Sequence, residues 1–181
     1  GDVLAMVSYP GYDNNKMANT VDAEYYAQLN ADKSSPQLNF ATQYKAAPGS
    51  TFKIVSATAG LMENVINLQT KVNCVGTFTE ITPSPRCWRI SGHGYENVTS
   101  AIKDSCNYFF YNVGYQLATR SGTYNEEEGL DTLSKYADLY GLTDKSGVEI
   151  GEYAPDVSTK DPVRSAIGQG SNSYTTEGLA R

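Results

Sequence analysis

No apolar run in this chain approaches the roughly 18–20 residues that a membrane-spanning helix needs. Its first residues also lack the charged region, apolar stretch and cleavage site of a secretory leader. An export signal or membrane anchor is therefore expected outside the 181 residues. Basic charge is scarce as well: 14 Lys and Arg stand against 20 Asp and Glu, for a net charge of -6. Tracking a phosphate backbone takes clustered cations, so the charge balance argues against nucleic acid as a partner class. There is no internal repeat and no low-complexity tract. What is present is 40% hydrophobic content over a length suited to one cooperative unit, residues 1–181, with a real core.

Both ends read as cut. Gly1-Asp2 resembles the tip of a hairpin with Val3 to Val7 as the strand leaving it, so an upstream strand is expected. Residues 175–181 stop inside what reads as the start of a helix. Between them, residues 9–43 are rich in turn formers and polar residues and predict loops with short helices. Residues 51–62 (TFKIVSATAGLM) are apolar or small on nearly every face, the mark of a buried helix whose only charge is Lys53. Glycines and prolines scattered from Lys71 to Tyr95 predict an irregular excursion with short strands. Helices are predicted over 98–103, 108–118 and 129–140, the last closed by Gly141. A short strand is expected at Val148 to Ile150 and a turn at Gly168-Gln169-Gly170.

Ser50 follows Pro48-Gly49 at the mouth of the buried helix, where unpaired backbone N–H groups and the helix dipole favour negative charge. Lys53 lies three residues on and on the same face, so its amine can reach the Ser50 hydroxyl. An isolated Ser-x-x-Lys usually combines an N-cap serine with a solvated lysine. Here the lysine sits on an apolar helix, where desolvation lowers its pKa toward a range in which a neutral amine accepts a proton. The pair suits a nucleophile and its base.

These residues also carry a family resemblance. Tyr44 through Lys53, with Pro48-Gly49-Ser50-Thr51-Phe52-Lys53 at its centre, resembles the nucleophile motif of class B penicillin-binding proteins, and Leu38-Asn39-Phe40-Ala41-Thr42 resembles the element before it. Val3 to Ser8 with Pro10, Ser105-Cys106-Asn107 as the Ser-x-Asn motif, Tyr140-Gly141-Leu142 with Gly147 to Ile150, and Ala166 to Gly170 follow the same family order.

The resemblance implies an α+β fold: the mainly helical subdomain of the transpeptidase (serine β-lactamase-like) fold, with part of its central antiparallel sheet missing. It further implies cross-linking of peptidoglycan stem peptides ending in D-Ala-D-Ala, with β-lactams acylating the same serine. In it Ser50 attacks the penultimate D-Ala carbonyl and Lys53 takes its proton. Ser105 relays a proton to the leaving amine, and Asn107 binds the substrate amide and steadies Lys53. The parent would be membrane-anchored, at the extracytoplasmic face of a bacterial envelope and within a cell-wall synthesis complex. The family's third motif, Lys-Thr-Gly on a strand, is missing; Lys145-Ser146-Gly147 resembles it only superficially. Losing one oxyanion donor costs about 100- to 1000-fold in turnover, so the segment alone is expected to have little or no activity.

The three cysteines and the single histidine fall together as Cys74, Cys87, His93 and Cys106, with gaps of 12, 5 and 12 residues. Three thiolates and an imidazole complete a tetrahedral structural zinc site. The alternatives are a Cys74–Cys87 disulfide with Cys106 free, or three unrelated thiols. Cys87-Trp88-Arg89 with Gly92-His93-Gly94 resembles a stretch of elongation-type class B enzymes, some of which carry zinc beside the Ser-x-Asn motif. Two other functions share the nucleophile motif or the scaffold: a β-lactam sensor or class D β-lactamase, and a non-catalytic zinc-ordered binding module.

Overall fold

A computed structural model describes residues 2–181 of the chain; the proposed hairpin tip at Gly1 falls outside the described residues. In chain order the elements are α1 (Ala23–Ala31), β1 (Lys45–Ala46), α2 (Lys53–Met62), β2 (Val72–Cys74), β3 (Gly94–Glu96), α3 (Val98–Lys103), α4 (Asn107–Ala118), α5 (Glu126–Leu139), α6 (Pro162–Ser165), β4 (Tyr174–Thr175) and α7 (Thr176–Ala180). A 3-10 turn over Gly49–Phe52 leads into α2.

The core is built around α4, which packs against α2, α5 and α6. Its Phe109, Phe110, Val113 and Leu117 recur at helical spacing and are fully buried. Burying each stabilises the fold by about 1.5–3 kcal/mol before the entropy of ordering is counted. Local signals set the helix starts. Asn97 and Ser100 form a capping box at α3, and Asn125 caps α5, whose first turn carries Glu126, Glu127 and Glu128 at the positive end of the dipole. Those acids begin α5 three residues earlier than its apolar periodicity predicts. Gly141 follows the helix end with φ +71, in the left-handed region a C-terminal cap requires.

Two antiparallel ribbons complete the frame. β1 pairs with β4 through Lys45↔Thr175 and Ala46↔Tyr174, and β2 pairs with β3 through Val72↔Glu96 and Cys74↔Gly94. The first, together with α6, joins residues too far apart for a local pattern to reveal. The second organises the excursion from 71 to 95.

Two strand expectations are corrected. Residues 3–7 adopt no regular element and pair with no strand among the described residues, leaving Leu4 94% and Val7 82% exposed. Val148 to Ile150 is a bend, because the buried Glu152 turns back to accept from the Ser146 backbone and hydroxyl and so closes a loop.

Candidate active site

The 3-10 turn before α2 holds Ser50 exposed at the surface, while one turn later Lys53 is only 2% exposed. Their relation differs from direct contact. The three N–H groups of the Lys53 ammonium meet three acceptors: the Ser105 carbonyl at 2.8 Å, the Ser105 Oγ at 2.9 Å and the Asn107 Oδ1 at 2.7 Å. Ser105 Oγ in turn lies 2.9 Å from Ser50 Oγ. Among the described residues no hydrogen bond joins Lys53 to Ser50. The packing of α2 on α4 inserts Ser105 between them, and the chain runs Lys53, Ser105, Ser50.

No carboxylate neutralises Lys53, since none of the ion pairs among the described residues includes it. Burial lowers its pKa from 10.5 to about 8, partly opposed by the thiols of Cys106 and Cys87. At pH 7 about a tenth of the amine is then neutral, against about 0.03% for an unperturbed lysine.

Ser105 owes its place to the end of α3. Its N–H donates to Ile102 O at 3.2 Å, the Cys106 N–H donates to Ala101 O at 2.9 Å, and Ser105 has φ +50. This is the Schellman arrangement, and Ser105 fills the left-handed position that normally takes glycine. A non-glycine residue there costs roughly 1–2 kcal/mol, so surrounding contacts must hold it. Asn107 is the first residue of α4, which aims its side chain back at Lys53.

The Gly168 turn supports the Gly49-Ser50 backbone from the other side. Gly49 N–H donates to Gly168 O at 3.1 Å, and a Cβ on Gly168 would lie 2.2 Å from Gly49 O. Ser56 Oγ donates to Ala166 O at 2.7 Å and ties α2 to the same turn. Gly168→Ala is therefore expected to lower unfolding free energy by about 2–4 kcal/mol, through the clash and the left-handed φ. Gly49→Ala, whose Cβ would meet nothing within 4 Å, should cost only about 1–2 kcal/mol. Urea unfolding of the two variants checks the ordering.

Beside the Ser105–Asn107 link, the ligand atoms of Cys74, Cys87, His93 and Cys106 all lie within 4.8 Å of one another. His93 Nδ1 is 3.6 Å from both Cys74 Sγ and Cys87 Sγ. Zinc bonded at about 2.0–2.1 Å to nitrogen and about 2.3 Å to sulfur has a tetrahedral N···S edge of about 3.6 Å, so the two His93–cysteine distances match such a site. The three cysteines are free rather than paired. Burial works against ionising Cys87, yet backbone N–H groups of Tyr108, Arg89 and Asn107 overcome it and hold that thiol below its ordinary value. Burial pushes the Cys106 thiol up. Close backbone packing shapes the loop: a Cβ on Gly92 (φ +80) would lie 2.0 Å from Cys74 O.

One further side chain touches this site. The Trp88 indole N–H donates to Ser105 O at 3.0 Å and, more weakly, to Asp104 O at 3.3 Å. No spacing rule links residue 88 to residue 105, and only an unexplained tryptophan in a glycine-rich loop hinted at it. Lys145-Ser146-Gly147, by contrast, lies on a loop and takes no part here.

Comparison with known proteins gives a consistent result. The family model for the penicillin binding protein transpeptidase domain matches residues 1–181. The peptidoglycan D,D-transpeptidase MrdA of Haemophilus influenzae is 34% identical over 162 residues, covering 88% of this chain and 23% of that protein. Stage V sporulation protein D of Bacillus subtilis is 28% identical over 151 residues, 83% of this chain and 20% of its own length. The structure of Pseudomonas aeruginosa PBP2 in complex with WCK 5153 superposes with a TM-score of 0.85 at 28% identity, covering 99% of this chain and 42% of that one. The chain thus spans less than a quarter of the curated relatives it matches.

Proposed function

This chain belongs to the penicillin binding protein transpeptidase family, and we propose that it supplies the nucleophile, base and relay of a serine D,D-transpeptidase acting on D-Ala-D-Ala stem peptides. The observation that carries this reading is the hydrogen-bonded run from the buried Lys53 through Ser105 to the exposed Ser50. With Lys53 charged, donation runs from the amine toward Ser50. With Lys53 neutral it reverses: Ser50 donates to Ser105 and Ser105 to the amine. Ser50 Oγ can then bond to the penultimate D-Ala carbonyl carbon while its proton moves through Ser105 to Lys53. As the C–N bond breaks, the proton returns along the same path to the departing D-Ala nitrogen. A second stem's amine resolves the acyl-enzyme and forms the cross-link. β-Lactams acylate Ser50 with their own ring nitrogen as the tethered leaving group. Asn107 orients the substrate amide and Lys53 together.

In this reading Cys74, Cys87, His93 and Cys106 hold a structural zinc ion. Held by these four residues, such an ion would have a structural role: the residues would then order the 71–95 loop and fix the backbone around Cys106, between Ser105 and Asn107. The whole protein acts at the extracytoplasmic face of a bacterial membrane, anchored by a segment outside these residues, in a complex that synthesises cell wall. No helix among the described residues is long and apolar enough to cross a membrane.

The test is to treat the full-length protein that carries this segment with benzylpenicillin and map the adduct by peptide mass spectrometry. One slowly decaying adduct on Ser50 is expected. An adduct elsewhere, none at all, or rapid hydrolysis of the drug would defeat the assignment.

A further inference from the structure

Ser105 must keep one position while its hydrogen bonds change direction. Its backbone is held in the left-handed region, and two side chains donate to its carbonyl: Lys53 at 2.8 Å and Trp88 at 3.0 Å. The Lys53 contact varies through the proposed reaction, because a charge-assisted bond from an ammonium is roughly twice as strong as one from a neutral amine. The indole N–H does not titrate. It is thus the one side-chain donor to that carbonyl whose strength stays constant while the proton passes along the relay.

Trp88 is poorly explained as a packing residue. It is 62% exposed, so most of its apolar surface gains nothing from burial. Its indole N–H nonetheless donates to the Ser105 and Asp104 carbonyls just beyond α3. The ring is steadied from behind by His93, edge-on at 5.1 Å between centroids and 69° between planes. Cys87 precedes it directly, so the cysteine and histidine loop sets both its position and its tilt.

We propose that Trp88 is a positioning residue of the acyl-transfer site: its indole N–H holds the Ser105 carbonyl, and with it the relay hydroxyl, in place between Lys53 and Ser50. The assignment rests on Ser50 being the acylated residue, as proposed above. Trp88 touches neither the substrate carbonyl nor the moving proton. Its effect reaches the reaction through the geometry of Ser105, so it belongs to the rate of bond formation rather than to affinity.

The experiment is stopped-flow acylation of the full-length protein by a fluorescent penicillin, which separates the dissociation constant of the first complex from the first-order acylation constant. Trp88→Phe keeps an aromatic ring and removes the N–H. Its acylation constant is expected to fall about 10-fold, the size of one lost hydrogen bond, with the dissociation constant unchanged. Ile90→Ala, an exposed neighbour on the same loop with no bond to Ser105, should leave both constants at wild-type values. An unchanged acylation constant in Trp88→Phe overturns the proposal. So does a weaker first complex with an unchanged acylation constant, which would make Trp88 a wall of the binding site. An equal loss in Ile90→Ala also overturns it, because the loop rather than the N–H would then be responsible. Failure of the wild-type protein to acylate at Ser50 would refute the underlying acyl-transfer reading instead, and is read separately.

Discussion

Lys53→Met is expected to slow acylation of Ser50 in the full-length protein by about 1,000-fold or more, within the range that general base catalysis supplies. Methionine matches the lysine stem in shape and removes only the titrating end, so the core around α2 should keep its packing. The buried ammonium is held at a pKa of about 8, below the 10.5 of an unfolded lysine. Between those values the unfolded chain binds the extra proton, so Lys53 opposes folding at neutral pH and that opposition fades as pH rises toward 10.5. Removing the charge offsets the loss of three hydrogen bonds, and the melting temperature at pH 7 should stay within about 4 °C of wild type.

The pH profile separates a lost base from a damaged fold. Only the neutral amine accepts a proton, so wild-type acylation should climb with pH and level off above about 8. In Lys53→Met the residual rate should lose that limb. Rapid-quench acylation across pH 6 to 9.5, together with thermal melting, measures both, and a variant that retains the limb would show the base to be another group.

Removing the proposed zinc should have the largest effect on stability. A structural ion present at about 1,000 times its dissociation constant contributes about 4 kcal/mol. With about 2–4 °C per kcal/mol for a domain of this size, chelation should lower the melting temperature by about 8–16 °C. The four proposed ligands join the end of β2, the β2–β3 loop, the residue just before β3 and the α3–α4 link, so the loss should reach Ser105 and Asn107 and slow acylation as well. Elemental analysis before and after chelation, with melting curves, checks this; a metal-free protein with an undisturbed melting temperature would refute it. Cys106→Ser should behave like the chelated protein, because Cys106 sits between Ser105 and Asn107. Oxidised cysteines in a metal-free sample would favour the disulfide alternative.

Several features follow from neighbours along the chain. Apolar spacing marked α2, α4 and α5, and Gly141 sits where a C-terminal cap needs a left-handed residue. Ser50 and Lys53 lie three residues apart on one buried turn. The cysteines and histidine read as one set, which the fold brings within 4.8 Å. Helix periodicity, capping and turn chemistry act over a few residues, so sequence determines them directly.

The working geometry has a different origin. Ser50 and Ser105 are 55 positions apart and Lys53 and Asn107 are 54 apart; no local rule relates them. Packing α2 against α4 placed Ser105 between Lys53 and Ser50, turning an expected direct contact into a hydrogen-bonded run through Ser105. The same packing desolvated Lys53 and lowered its pKa, while the cysteine and histidine loop brought Trp88 to the Ser105 carbonyl. Val3 to Val7 shows the converse: among the described residues its strand-like pattern meets no neighbouring strand, and no ladder forms. Sequence determined which groups could perform the chemistry, whereas tertiary structure decided which of them touch, because burial and long-range hydrogen bonds exist only once the helices have packed.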